Sequence, residues 1–251
     1  MNKFSSFLLC AAFTLCLTAA NLTAAPQDTV DLGDAGHFAV LAGTSVTNAG
    51  NTVINGDLGV SPGTSVTGFK PVPLAGPGIV NGTIYTPLKF CSKKACVTQS
   101  TEVAADGQAD LLVAYNDAAA RTEDAVGVAG DLGGTTLTPG LYTSTSTLAI
   151  TGDLTLAGNG VYIFQMVSSL TVNSNARVVL TGGATAAKVF WQVGSTATLG
   201  ATSVFQGTIL AHTAITMDSG ASVNGRALAM GAEVTFISNI VKLPTVGKGK
   251  K

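Results

Sequence analysis

From Ser203 the chain reads Ser-Val-Phe-Gln-Gly-Thr-Ile-Leu-Ala-His-Thr-Ala-Ile-Thr-Met, and from Ala221 it reads Ala-Ser-Val-Asn-Gly-Arg-Ala-Leu-Ala-Met-Gly-Ala-Glu-Val-Thr-Phe. Gly207 recurs as Gly225, Leu210 as Leu228 and Ala211 as Ala229, each eighteen residues on. The same interval taken backwards sets Ile215-Thr216-Met217 on Ala197-Thr198-Leu199. A period of this length marks a solenoid, in which a single unit cannot bury its own apolar face and stacked neighbours do so together.

The unit returns near the other end of the chain. Val53-Ile54-Asn55-Gly56 and Ile79-Val80-Asn81-Gly82 match Ser222-Val223-Asn224-Gly225, and Ser65-Val66-Thr67 echoes Glu233-Val234-Thr235. Between the two halves, Pro71, Pro73, Pro77 and Pro87 exclude a helix or central strand and predict a loop or cap over 70–97. Residues 100–122 turn helical, with Leu111, Leu112, Tyr115, Ala118 and Ala119 as the expected apolar stripe and Gly107 as a weak point. Such a helix spans roughly 33 Å, the height of roughly seven coils stacked about 4.8 Å apart, so it can buttress the whole stack. Short strands then follow without interruption from Leu141 to Val193.

Charged residues make up only 11% of the 251, so Thr, Ser, Asn and Gly must build the surface. The net charge is −1 and no basic cluster precedes the tail over 244–251, which leaves no electrostatic footprint for nucleic acid. Lys3, the apolar run Phe7 to Leu17 and Thr18-Ala19-Ala20 have the layout of an export signal over 1–20, with Thr23-Ala24-Ala25 as a second cleavage site that Pro26 would hinder. The expected product is a secreted, extracellular single domain over 26–243, with no membrane span once the signal is removed. Cys10 and Cys16 leave with the signal, while Cys91 and Cys96 are expected to pair as a disulfide in an oxidising compartment. Zinc would need two further ligands that their surroundings lack.

Apolar-Thr-apolar triplets occur around Thr155, Thr171, Thr198, Thr216 and Thr235, and looser versions around Thr47 and Thr67. Side chains alternate across a strand, so the apolar neighbours point inward and these threonines outward. Stacking is expected to align up to seven of them in one ladder. Thr is a good strand residue, and cross-strand Thr pairs add up to about 1 kcal/mol, which is the plainest explanation. An exposed position indifferent to identity would, however, also collect Lys, Glu and Gln. A flat, uncharged array of hydroxyls and methyls at the coil repeat is suited to holding water in an ordered layer, as a surface meeting ice must.

Leu32-Gly33-Asp34-Ala35-Gly36-His37-Phe38-Ala39-Val40-Leu41-Ala42-Gly43, Val189-Phe190-Trp191-Gln192-Val193-Gly194, Phe205-Gln206-Gly207-Thr208-Ile209-Leu210-Ala211 and Asn224-Gly225-Arg226-Ala227-Leu228-Ala229 resemble the microbial ice-binding (antifreeze) proteins. The likeness runs from Leu32 to Val241 with several motifs in order. It implies an all-β fold with one long helix: a right-handed, three-sided, discontinuous β-helix whose N-terminal segment folds back onto the C-terminal coils. It also implies an ice-facing motif of Thr, Ala or Gly, any residue, then Thr or Asn. Thr213-Ala214-Ile215-Thr216 meets it in full, and Ser195-Thr196-Ala197-Thr198 and Ser168-Ser169-Leu170-Thr171 meet it loosely. Ala232-Glu233-Val234-Thr235 departs by setting a carboxylate beside the ladder. The expected ice-contacting residues are therefore Thr47, Thr67, Thr155, Ser169, Thr171, Thr196, Thr198, Thr213, Ala214, Thr216 and Thr235, acting in a monomer without cofactor or metal.

Two other classes compete. Solenoid lyases and hydrolases need paired carboxylates or a basic residue with cations in a groove. Here the three glutamates are Glu102, Glu123 and Glu233, and Asp131, Asp153 and Asp218 fall at expected turns. His37 and His212 lack partners in sequence and are expected to be structural, as is Trp191 within its apolar strand. A secreted adhesin or carbohydrate-binding β-helix without catalysis would call for exposed aromatic rings.

Overall fold

The computed structural model describes residues 26–70, 76–86, 90–92, 95–97, 101–128 and 130–245. Each turn of the chain passes through three parallel sheets that enclose one apolar core. The first sheet stacks Val126–Gly127, Gly140–Ser144, Tyr162–Met166, Val189–Val193, Val204–Ala211 and Ser222–Ala229. On the last of these sit Phe38–Ala42, Asp57–Val60 and Ile84–Tyr85. Its strands read as nearly unbroken apolar runs because both faces are covered, one by the core and the other by the helix Thr101–Ala120. The second sheet runs Leu148–Ile150, Leu170–Val172, Ala197–Leu199, Ile215–Met217, Val234–Ile237, Ser45–Ala49 and Ser65–Thr67, and its central positions alternate buried and half-buried. The third begins with Thr136–Leu137, Leu154–Ala157 and Val178–Thr181. A bridge from Arg177 to Val204 carries it on through the first halves of the two long strands to Ile240–Lys242, Val53–Asn55 and Ile79–Asn81.

The N-terminal segment does fold back onto the C-terminal coils. The matching tetrapeptides at Val53, Ile79 and Ser222 fall in one column of the third sheet, with Ile240-Val241-Lys242 between them. Where the segment joins, Arg226 donates from Nε and Nη2 to the Gly36 carbonyl at 3.0 and 2.8 Å. Burial lowers the Arg226 pKa from its usual value.

Aromatic rings fill the middle of the core. Tyr142 stacks on Phe164 at 5.3 Å, Phe164 on Trp191 at 3.9 Å, and Phe205 closes the pile at 5.1 Å from Trp191. Trp191 is fully buried, as its strand implied, and its indole N–H donates to the Gln206 carbonyl.

The helix differs from expectation in two respects. It ends at Ala120 rather than Thr122. Gln165 accounts for the ending by donating to the Ala118 and Arg121 carbonyls at 2.6 and 2.8 Å, which satisfies acceptors that a further turn would have used. The buried stripe is Ala104, Gly107, Leu111, Ala114 and Ala118, while Leu112 is 51% exposed and Ala119 is exposed. Gly107 is the close approach: a Cβ there would lie 2.6 Å from the Phe38 ring, so the helix settles on the sheet only with no side chain at that point.

Coil length varies more than an eighteen-residue period suggests. Ala149, Thr171, Thr198, Thr216 and Thr235 are register partners at intervals of 22, 27, 18 and 19 residues. Most of the difference falls at the corner between the third and first sheets. Long coils cross it by loops such as 182–188, whereas Gly207 and Gly225 let two coils cross within one strand. Their φ values of 108° and 155° are open to glycine, and a Cβ at Gly225 would strike the Gly207 carbonyl oxygen. Within 70–97, Phe90–Ser92 and Ala95–Val97 form a hairpin whose backbone register sets Cys91 opposite Cys96. The expected export signal and basic tail, except for Pro244 and Thr245, lie outside the described residues.

Candidate functional site

The second sheet carries the threonines. Thr171, Thr198, Thr216, Thr235, Thr47 and Thr67 are successive register partners, so six of the seven expected rungs form one column. Their neighbours Leu170 and Val172, Ala197 and Leu199, Ile215 and Met217, and Val234 and Phe236 are buried, which fixes each threonine outward. Where the N-terminal segment joins, Thr47 Oγ1 donates to Thr235 Oγ1 at 3.5 Å. The column spans roughly 24 Å at about 4.8 Å per rung.

Thr155 does not belong to it. It pairs with Thr136 and Val179 in the third sheet, and Ala149 takes the place before Thr171. Leu154-Thr155-Leu156 has the same alternation as the rungs because alternation reports which way a side chain points, not which sheet holds it.

A second column lies two residues before the first: Thr147, Ser169, Thr196, Ala214, Glu233, Ser45 and Ser65. Thr147 and Ser169 hydroxyls lie 3.3 Å apart. Ser169, Thr196 and Ala214 were expected here, and Thr213 sits at the corner beside them, exposed. Thr147, Ser45 and Ser65 were missed, although carrying the motif spacing to Ser65-Val66-Thr67 and Ser45-Val46-Thr47 would have found the last two. Glu233 stands exposed between Ala214 and Ser45, the one carboxylate in either column over these rungs.

The column meets a charge at its far end. Asp131 bridges to Ala149 and accepts from the Gly133 and Thr151 backbone N–H groups at 2.8 and 3.0 Å and from the Thr151 hydroxyl. The Thr151 hydroxyl, foremost, and these amides hold its carboxyl below the usual range. Its oxygens are thereby committed to a turn, and Ala149 separates it from the first hydroxyl rung.

Other chemistry-bearing groups are scattered. His37 is 74% exposed with Asp34 at 3.8 Å, and His212 is exposed with its ring 5.8 Å from that of Tyr115. Among the described residues no group of three or more His, Cys, Asp or Glu is placed to hold a metal ion. A cavity of about 500 Å³ near the helix end, lined by Asp28, Asp117, Arg121 and Glu123, already has its cation engaged. Arg121 donates to Asp117 Oδ2 at 2.7 Å and to the Asp28 and Thr29 carbonyls. The large apolar side chains exposed among the described residues are all aliphatic.

The model of the ice-binding-like family matches residues 40–242. The chain belongs to that family. An ice-binding protein from Nostoc sp. (strain HG1) is 42% identical over 96% of this chain and 82% of its own length. The crystal structure of an ice-binding protein from an Antarctic biological consortium superposes with a TM-score of 0.79 at 44% identity, covering 91% of this chain and 97% of its own. One from the Antarctic ascomycete Antarctomyces psychrotrophicus superposes with a TM-score of 0.76 at 34% identity, over 87% and 100%. With solved members of the family so similar over nearly the whole length, the β-solenoid with its helix alongside is the family's fold.

Proposed function

We propose that the protein binds ice through the second sheet, with Thr171, Thr198, Thr216, Thr235, Thr47 and Thr67 as the principal contacts and the hydroxyl column beside them as support. The observation that carries this is the register: six outward threonines at one coil spacing, four held between buried apolar residues and Thr47 and Thr67 each following a buried valine, on a different sheet from the one the helix covers. Hydroxyls at a fixed interval hydrogen-bond water, and the methyls between them resist its disordering. No step of bond chemistry is needed, and the protein acts as a binder without catalysis, cofactor or metal. Names of the family's members, among them the Nostoc protein, support the same reading.

An ice-facing role suits export, since ice forms first outside cells, and the signal-like layout of residues 1–20 supports secretion. Purified mature protein in a cooled droplet tests the function directly. Faceted crystals and a gap between melting and freezing points are expected, and round disks growing without a gap would turn the reading toward adhesion.

A further inference from the structure

The ladder is assembled across a break in the chain. Thr235 and Thr47 are adjacent rungs yet 188 residues apart, so nothing covalent sets one against the other. Backbone pairing at this seam is short only in the first sheet, with two register pairs against five between Tyr162–Met166 and Val189–Val193, while the ladder sheet has four and the third three. Alternation forbids a slip of one residue, which would turn Val46 outward. A slip of two keeps every apolar side chain inside, and would set Ser45 or Ala49 where Thr47 stands.

At the corner between the second and third sheets, a hydrogen-bonded set of three polar residues, Asn48, Thr52 and Asn239, meets across this seam. Asn239 donates from Nδ2 to the Asp218 and Ala221 carbonyls of the coil before it, at 2.7 and 3.0 Å, and accepts from the Ile237 N–H. Its own N–H donates across the break to Thr52 Oγ1 at 3.0 Å. Thr52 donates to Asn48 Oδ1, and Asn48 donates to the Gly50 and Gly68 carbonyls at 2.8 and 2.7 Å, the latter in the next coil. Four successive coils are thus tied, and Thr52 and Asn239 are each fully buried. Such a set tolerates no partial fit, because a displaced member leaves a buried polar group without a partner. A single buried polar group is known to fix register between helices at a cost in stability, and the same logic holds between coils.

We propose that Asn48, Thr52 and Asn239 are positioning residues for the ice-facing column, setting the rungs Thr47 and Thr67 in line with the other four. This rests on the ice-facing reading of the second sheet. Thr52→Val keeps the shape and removes the hydroxyl that both accepts from Asn239 and donates to Asn48, while Thr52→Ser keeps it. Thermal hysteresis of the Val variant, at equal concentration of folded protein, is expected to fall to roughly two-thirds or less, since four of six rungs stay aligned and misaligned sites cannot engage together. The Ser variant is expected to match the parent.

The decisive readout is coupling. Thr47→Tyr should lower hysteresis in the parent but add little in the Thr52→Val background, whereas Thr198→Tyr should lower it in the parent and lower it further in the Thr52→Val background, where only Thr216 and Thr235 stay in line side by side. If Thr47→Tyr and Thr52→Val act independently, or Thr52→Val keeps full hysteresis, the network holds only stability and the proposal fails. If Thr198→Tyr is silent in the parent, the ice-facing reading itself is wrong. Should Thr52→Val not fold, Asn48→Ser, at a half-exposed site, shortens the link to Thr52 and Gly68 and takes its place in the same cycle: coupling to Thr47→Tyr supports the proposal, and independence overturns it.

Discussion

Replacing Thr216 with Tyr separates a ladder that works from one that is merely good strand chemistry. Thr216 is half-buried between Ile215 and Met217, both fully buried, and its register partners are Thr198 and Thr235. Tyr keeps strand propensity and points outward, so stability should change by about 0.5 kcal/mol or less, which for a domain of this size moves Tm by no more than about 2 °C. Its ring stands above the neighbouring hydroxyls by roughly one coil spacing, about 4.8 Å, and interrupts the run of rungs that a flat crystal face can meet. The longest run left intact is three rungs, Thr235, Thr47 and Thr67, out of six. Hysteresis should therefore fall to about half or lower if engagement needs contiguous rungs. Thr67→Tyr, at the end, leaves five and should cost much less. Thr155→Tyr, an outward threonine of the same local sequence on the third sheet, should cost nothing. The assay is thermal hysteresis against concentration, with Tm measured in parallel. Equal losses at Thr216 and Thr155 would refute the assignment of the face, and equal losses at Thr216 and Thr67 would refute the need for contiguity.

Glu233→Thr removes the charged hydration shell beside Thr235 and is expected to raise hysteresis, and a drop would mean that the carboxylate takes part in binding. Gly107→Ala gains about 1 kcal/mol of helix propensity but presses a methyl to 2.6 Å from the Phe38 ring, at an overpacking cost of about 1–3 kcal/mol; Tm should fall by a few degrees with activity kept, and a raised Tm would contradict the tight approach. Cys91→Ser should leave ice binding intact and lower stability by about 2 kcal/mol or less, because so short a loop gains little from closure; lost activity in a folded variant would bring the hairpin into the site. Burial first, and the neighbouring Tyr142 second, push the Tyr162 phenol up to about 12. The unfolded chain ionises it near pH 10, so the stabilisation is whole below that pH and is lost as pH rises toward 12. Tm should accordingly be flat through neutrality and drop above about pH 10, less steeply in Tyr162→Phe, and equal slopes would show that other groups govern the alkaline limit.

The sequence displayed what is local and repeated. Apolar-Thr-apolar alternation told inside from outside at four of the six rungs, and the tetrapeptides at Val53, Ile79 and Ser222 announced that the two ends of the chain share a column. What it concealed depends on the path between strands. Thr155 obeys the alternation on another sheet, and only the varied coil lengths reveal it. Gly107 reads as a defect in a helix until Phe38 is seen beneath it. The helix end is set by Gln165, more than forty residues away, and the stitched corner joins Asn48 and Thr52 to Asn239 across most of the chain. No window on the sequence brings such pairs together.

The uneven coils have a further consequence. Because the corner between the third and first sheets takes up differences from 18 to 27 residues per turn while Thr171, Thr198 and Thr216 stay in line, the perimeter of the molecule is uncoupled from the spacing of its face. Thr181, Gly182, Gly183 and Thr185 lie exposed at that corner. A foreign peptide or a whole folded module spliced there would enlarge the turn as the natural loop already does, and be carried on a different edge from the sheet proposed to meet ice. The coil is in this sense a mount: cargo fixed at Gly182–Gly183 would be held at the surface of growing ice without touching it.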